Sequence, residues 1–148
     1  MTSAPIFHLD PQRPKDLWRV LGFPSRGAEL YRALEDGLPY RVYTELTELL
    51  DLRKQDLAEI MGIAPATMRR RIKAGRFNQN ESDKLYRLVQ IFSAACDLFE
   101  GDFKGAQRWL TRQVKGLGGA RPIDMIATSA QTDAALDLVS RLEHGVFA

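Results

Sequence analysis

The 148 residues are 45% hydrophobic and 27% charged with a formal net charge of +2, enough for one good helical core or two small ones within the usual size of a single domain. A net charge so close to zero does not by itself indicate nucleic-acid binding, so the argument rests on where the charge lies, and it lies in the middle third. The single cysteine, Cys96, excludes an internal disulfide, and no signal peptide or membrane-length apolar run is present, so a reducing cytoplasmic setting without membrane contact is expected.

Residues 1–13, with Pro5, Pro11 and little periodicity, are expected to form an extended arm. Leu17, Val20 and Leu21 predict a short helix ending at Gly22. Leu30, Tyr31 and Leu34 predict a second over 28–35, closed by Gly37. Residues 1–38 thus form an arm with short helices. From Leu38 and Pro39 a new segment opens, in which Val42, Leu46, Leu49 and Leu50 give a helix an apolar face.

The next stretch, Leu57 to Phe77, has the spacing of a helix-turn-helix. Leu57, Ile60 and Met61 form an i, i+3, i+4 stripe, Ala58 is small where a second helix must approach, and Gly62 can end the first helix in the left-handed conformation. Ile63 plugs the turn, Pro65 fits the first turn of a second helix, and Met68 and Ile72 supply its inward seam. Arg71 falls where such motifs often carry a third apolar residue, and Ile72 is expected to take over that role. Five cations occupy eight positions from Arg69 to Arg76 with no acid among them. Thr67, Arg69, Arg70, Arg71, Lys73 and Arg76 are therefore DNA-binding candidates on the outer face and its C-terminal loop, with Lys54 at the start of the first helix. Arginine suits a major-groove helix because its planar fork grips phosphate oxygens or a guanine edge with two hydrogen bonds. The bland alternative is a solvated basic face on an ordinary hairpin, which would not require the small-residue and glycine positions.

The longest helix is predicted to begin at an Asn80 cap with Asp83 three residues on. Its seam is Leu85, Leu88, Val89, Phe92, Ala95, Cys96 and Phe99, and Gly101 stops it. Cys96 reads as core packing. Glu81 and Asp83 favour the positive helix end and are not an acid/base pair. Beyond Asp102 the predicted elements are a helix over 103–113 with Trp109 and Leu110, a flexible joint at Gly116, Gly118 and Gly119, and a one- to two-turn helix after Pro122. A last helix follows, opened by a Thr128/Gln131 capping box, with a seam of Ala135, Leu138, Val139, Leu142 and Val146. The fold class is all-α.

No catalytic or metal-binding pattern emerges. His8 and His144 share no ligand-like spacing, and no HExxH, CxxC or paired carboxylates are found. The Gly116–Gly119 run lacks the Lys-Ser/Thr of a phosphate loop. No enzyme activity and no cofactor are expected.

The run ATMRRRIKAGRFNQNESDKLYRL, followed by AQRWL, GLGGARPIDMIAT and LVSRLEHGV, resembles the Xre/MbcA/ParS antitoxins that pair with RES-domain toxins. The resemblance covers about residues 40–148. It implies an Xre/Cro-like helix-turn-helix domain over 39–100 that binds the promoter of its own operon, and a small C-terminal helical domain over 101–148 that binds the toxin. RES toxins are fold-relatives of ADP-ribosyltransferases that consume NAD or modify targets with it, and the antitoxin covers the NAD pocket. The matching positions are Trp109, Leu110, Gly119, Pro122, Asp124, Thr128, Leu142 and Gly145. Gln131 departs from the pattern, where family members often carry glycine. The resemblance further implies a homodimer within a hetero-oligomeric complex.

On that reading, Arg121 to Thr128 and the outward face of the last helix form a plug. Its candidate toxin-binding residues are Arg121, Asp124, Met125, Thr128, Arg141, His144 and Phe147, with Met125, Ile126 or Phe147 as apolar anchor. Met125, Ile126 and Trp109 read first as core of the C-terminal domain, which leaves Arg121 and Asp124 as the better contact candidates. Two other readings stay open: a stand-alone regulator whose C-terminal half dimerises or senses a ligand, and an interaction module whose basic helix meets an acidic protein.

Overall fold

The computed structural model describes residues 16–145. Eight α-helices follow one another among them: α1 (Asp16–Leu21), α2 (Gly27–Asp36), α3 (Tyr40–Leu50), α4 (Lys54–Met61), α5 (Pro65–Ala74), α6 (Gln79–Leu98), α7 (Phe103–Leu110) and α8 (Ser129–Glu143), with 3-10 turns at Lys115–Leu117 and Pro122–Asp124. The one β feature among the described residues is an isolated antiparallel bridge between Pro39 and Arg76. The fold is all-α, a helix-turn-helix half followed by a smaller helical half. The expected arm over 1–13, His8, Val146 and Phe147 lie outside the described residues.

The 20-residue α6 is the spine. Leu85, Leu88, Val89, Ile91, Phe92 and Ala95 are all inaccessible to solvent, because α1 and α2 cover one side of the helix while α7, α8 and the Pro122 turn cover others. A helix apolar over most of its circumference must be buried on several sides. The helix begins two residues earlier than its sequence suggested. Asn78 is the cap: its side chain accepts from the Glu81 N–H at 2.8 Å, and the Glu81 carboxylate accepts from the Asn78 N–H at 3.0 Å. Asn78-x-x-Glu81 closes a reciprocal box, whereas Asn80 and Asp83 lie inside the first turns.

The short N-terminal helices belong to the same core. Leu17, Leu21, Leu30 and Leu38 are buried, although Tyr31, placed on the seam from sequence, is 64% exposed. Gly37 has φ of 92°, and a Cβ there would stand 2.0 Å from the Phe77 carbonyl oxygen, so only glycine allows 37–40 to run beside 75–77. The helix α7 stops at Leu110, three residues short of the expected Gln113. The glycine-rich segment after it is a closed turn rather than a joint. Val114 N–H donates to Ala120 O, and Gly119 N–H donates back to Val114 O, both at 3.0 Å. The segment after Pro122 makes a single 3-10 turn, shorter than expected.

Candidate DNA-reading and toxin-binding surfaces

The helices α4 and α5 form the helix-turn-helix. Gly62, at φ 72°, ends α4, and its N–H and that of Ile63 return to Glu59 and Ala58 carbonyls. Leu57, Met61 and Ile63 are buried, and Pro65 opens α5 as expected.

The helix α5 buries none of its own residues completely, so it is held by other means. Its C-terminal end is sewn to the α2–α3 junction: Tyr40 N–H donates to Gly75 O at 2.9 Å, Phe77 N–H to Leu38 O at 3.0 Å, and the Arg76 guanidinium to Asp36 O at 2.9 Å. On the inward side the expected assignment of Arg71 and Ile72 is reversed. Ile72 is 50% exposed, lining an apolar groove with Met68, Tyr40 and Tyr43. Arg71 points inward and grips Glu81 with two hydrogen bonds, Nε at 2.7 Å and Nη2 at 3.1 Å. At about 100° per residue, 71 lies about 60° to one side of 68 and 72 about 40° to the other, so Arg71 turns towards α6 while Ile72 turns with Met68 into the groove. The apolar third position is replaced here by a forked ion pair with the N-terminus of the spine.

Glu81 is thus shared between a cap and a bridge. Burial alone would raise its pKa, but the Arg71 hydrogen bonds, the Asn78 N–H and the positive charges of Arg71 and Lys84 outweigh that, and the carboxyl sits below the ordinary glutamate value. Arg71 therefore leaves the set of outward cations. Arg69, Arg70 and Lys73 remain exposed on α5 and Lys54 on α4. Thr67 is half-buried and accepts weakly from Arg70 at 3.4 Å. Arg76 keeps part of its guanidinium free.

Two further α6 cations, not singled out from sequence, hold other parts of the fold. Lys84 Nζ donates to the Met61 carbonyl at the end of α4, 2.9 Å away. Arg87 donates to the Ile126 and Ala127 carbonyls at 3.1 and 3.3 Å and pairs with Asp83. Glu81, Lys84 and Arg87, three residues apart, reach respectively α5, α4 and the 121–128 segment. Only Glu81 carried a sequence signal, the cap spacing. The contacts of Lys84 and Arg87 span 23 and 39 residues or more, which no local pattern reports.

The 121–128 segment rests on a buried base. Pro122, Ile123 and Ile126 are buried beneath it, and Thr132 Oγ1 donates to the Met125 carbonyl at 2.7 Å. Backbone carbonyls that the irregular chain leaves unpaired are thus met by side chains from α6 and α8. At its surface Arg121 and Asp124 form a two-pronged pair at 2.8 and 3.0 Å, both partly exposed. Together with Leu52, Asp56, Glu59 and Ile60 they line a groove of about 280 Å³ between this segment and α4. Asp56 is itself gripped by Arg53, whose hydrogen bonds, with a smaller contribution from the Arg121 charge, lower its pKa. Arg53 and Arg121 pair with Asp56 and Asp124, and Glu59 leaves the groove acidic on balance.

The remaining candidates are dispersed. Met125 is half-buried, while Ile126 and Trp109 are core. Thr128 caps α8 in the expected box with Gln131, which gives the departure at Gln131 a structural role. Arg141 pairs with Asp137 on the outward face of α8, and His144 Nδ1 donates to the Ser140 carbonyl at 2.7 Å at its end. Most positions that carry the family resemblance are scaffold: Trp109, Leu110 and Pro122 are buried, and Gly119 and Gly145 have φ of 89° and 69°. Cys96 is buried on α6, where loss of solvation pushes its thiol up to about 12. Among the described residues, no helix is long and apolar enough to cross a membrane.

Comparison with known proteins meets this geometry at both halves. Residues 29–90 match the antitoxin Xre-like helix-turn-helix domain, and residues 94–145 match the antitoxin Xre/MbcA/ParS C-terminal toxin-binding domain. The chain belongs to the Xre/MbcA/ParS antitoxin family. It is 35% identical over 132 residues to an Antitoxin Xre of Photorhabdus laumondii subsp. laumondii, covering 88% of this chain and 89% of that one. To an Antitoxin Xre of Yersinia enterocolitica serotype O:8 / biotype 1B it is 35% identical over 144 residues, 95% of this chain and 97% of that one. The helix-turn-helix match begins at residue 29, so it takes in most of α2, which the resemblance read from sequence had left out. The two matches meet within α6: the antitoxin's DNA-reading and toxin-binding halves share one spine.

Proposed function

We propose that this antitoxin silences a RES-domain toxin by closing its NAD pocket with the 121–128 segment and the outward face of α8, and that α5 represses the operon's own promoter. The contacts on the toxin side are Arg121, Asp124, Met125, Thr128, Arg141 and His144, with Phe147 beyond the described residues. On the DNA side they are Lys54, Thr67, Arg69, Arg70, Lys73 and Arg76, with Arg71 positioning the helix rather than touching phosphate. The toxin's RES character rests on the resemblance of the GLGGARPIDMIAT and LEHGV runs. The observation that carries the division of labour is the state of the charges. Those of α5 are outward and largely unpaired, suited to phosphate, while those of 121–128 are paired over an apolar base, suited to steric closure. A pocket that admits the two phosphates of NAD is electropositive or rich in donors, and a paired surface can occlude it without acting as substrate.

Co-expression with the neighbouring gene tests this. The two proteins should purify together, and this chain should restore growth that the neighbour abolishes. A gel shift on the upstream DNA should show a salt-sensitive complex, with half-sites about 34 Å or a multiple apart if the repressor binds as a dimer. DNA binding without toxin rescue would instead make the chain a stand-alone regulator.

A further inference from the structure

The charge of this chain is segregated more sharply than its net value suggests. Residues 60–80 and residues 103–123 each hold five Lys or Arg and no acid, which leaves 11 cations against 19 acids elsewhere. The first run is the recognition helix. The second is Lys104, Arg108, Arg112, Lys115 and Arg121, and its first four members are exposed and make no ion pair among the described residues. We infer that the outward face of α7 and the loop behind it form a second phosphate-binding surface, so that operator DNA is contacted by the C-terminal half as well as by the helix-turn-helix.

Helix electrostatics do not account for these residues. A cation in the last turn, such as Arg108, complements the helix dipole, but Lys104 sits in the first turn of α7, where a positive charge is disfavoured, and Arg112 and Lys115 lie beyond the helix end. Nor is the face free to swing. Gly105, Ala106, Trp109 and Leu110 are buried, and the Gln107 side-chain amide donates to the Leu49 carbonyl in the last turn of α3. The patch is therefore fixed on the side of the fold where α3 ends and the chain turns into α4, whose first residue is Lys54. In a helix-turn-helix that first helix crosses the phosphate backbone. The α7 cations are thus held near that junction, which exposes Glu48 and Asp51 as well as Arg53 and Lys54.

An acidic protein surface is the competing partner, and α8 argues against its being the toxin's NAD pocket. The outward face of α8 carries exposed Asp133, Asp137 and Glu143 against the single cation Arg141, which pairs with Asp137, so the face is net acidic. Of the two helices packed on the end of α6, the acidic one suits an electropositive pocket, and the basic one would be repelled by it.

This inference rests on the repressor reading above, and its test separates the two. Operator affinity is measured from low to moderate salt for the full chain, for Lys104→Gln/Arg108→Gln/Arg112→Gln/Lys115→Gln, and for Arg69→Gln/Arg70→Gln, with melting temperature and toxin co-purification as controls. The fourfold variant should bind operator more weakly, with a log–log salt slope shallower by about 3.6 per protomer, and should still co-purify with the toxin. An unchanged slope in a folded fourfold variant, with the Arg69/Arg70 variant weakened, overturns the α7 surface and leaves the repressor reading standing. Loss of toxin binding with an unchanged slope assigns the patch to a protein partner and also overturns it. Failure of the full chain to bind its upstream DNA removes the repressor reading itself, and this inference with it.

Discussion

The recognition helix and the 121–128 segment are both presented by α6, yet they are held in opposite ways. The helix α5 buries no side chain completely and is held by half-buried Met68, one forked ion pair and three contacts at its C-terminal end. The 121–128 segment is irregular backbone, but it sits on buried Pro122, Ile123 and Ile126, with its carbonyls met by Arg87 and Thr132. A surface that must present unpaired charge cannot also bury it, so its scaffold is largely polar and contributes less stability. A surface that excludes by shape can be anchored by apolar burial, which contributes more.

The sharpest separation should appear in stability. Ile126→Ala removes a fully buried side chain and should cost about 2–5 kcal/mol in urea unfolding, whereas Arg69→Gln should stay within about 0.5 kcal/mol. Equal losses would erase the contrast. Glu81→Ala lies between them: loss of the capping role alone should cost about 1 kcal/mol, and release of Arg71 should weaken operator binding. Arg71→Lys keeps the charge but loses the fork, and should weaken operator binding more than Arg69→Lys does. The reverse order would make Arg71 a direct DNA contact.

Acid provides a third comparison. The folded pKa of Glu81 lies below its ordinary value of 4.5, so its contribution is complete above that value and is lost as pH falls through the lower folded value. Below about pH 4.5 the wild-type urea midpoint should therefore fall more steeply than that of Glu81→Gln. Parallel curves would show that the carboxylate is not stabilised in the fold. The smaller effects concern single surface charges. Removing Arg69, Arg70 or Lys73 should each flatten the operator salt slope by about 0.9. Arg121→Ala should reduce toxin affinity only several-fold, because its charge is already neutralised by Asp124 in the free protein.

The helical plan was legible in the sequence because its apolar spacing and terminators are local. Gly62 and Pro65 mark the turn, and Thr128 with Gln131 marks the start of α8. The same local logic misplaced the start of α6, since Asn78 and Asn80 both look like caps and only the Glu81 contact decides between them. It also misjudged Arg71, because hydrophobicity assigns an inward position to the nearest apolar residue, while burial of a charge depends on a partner ten residues away in another helix. Sequence singled out 121–128 as the proposed toxin-facing segment, but the paired state of Arg121 and Asp124 and their groove with α4 depend on tertiary packing.

The occlusion of the toxin's nucleotide site is measured most directly by competition. NAD binding to the neighbouring toxin, titrated at rising concentrations of this antitoxin, should show an apparent dissociation constant for NAD that climbs in proportion to antitoxin without levelling off. NAD binding to the assembled complex with undiminished affinity would contradict it.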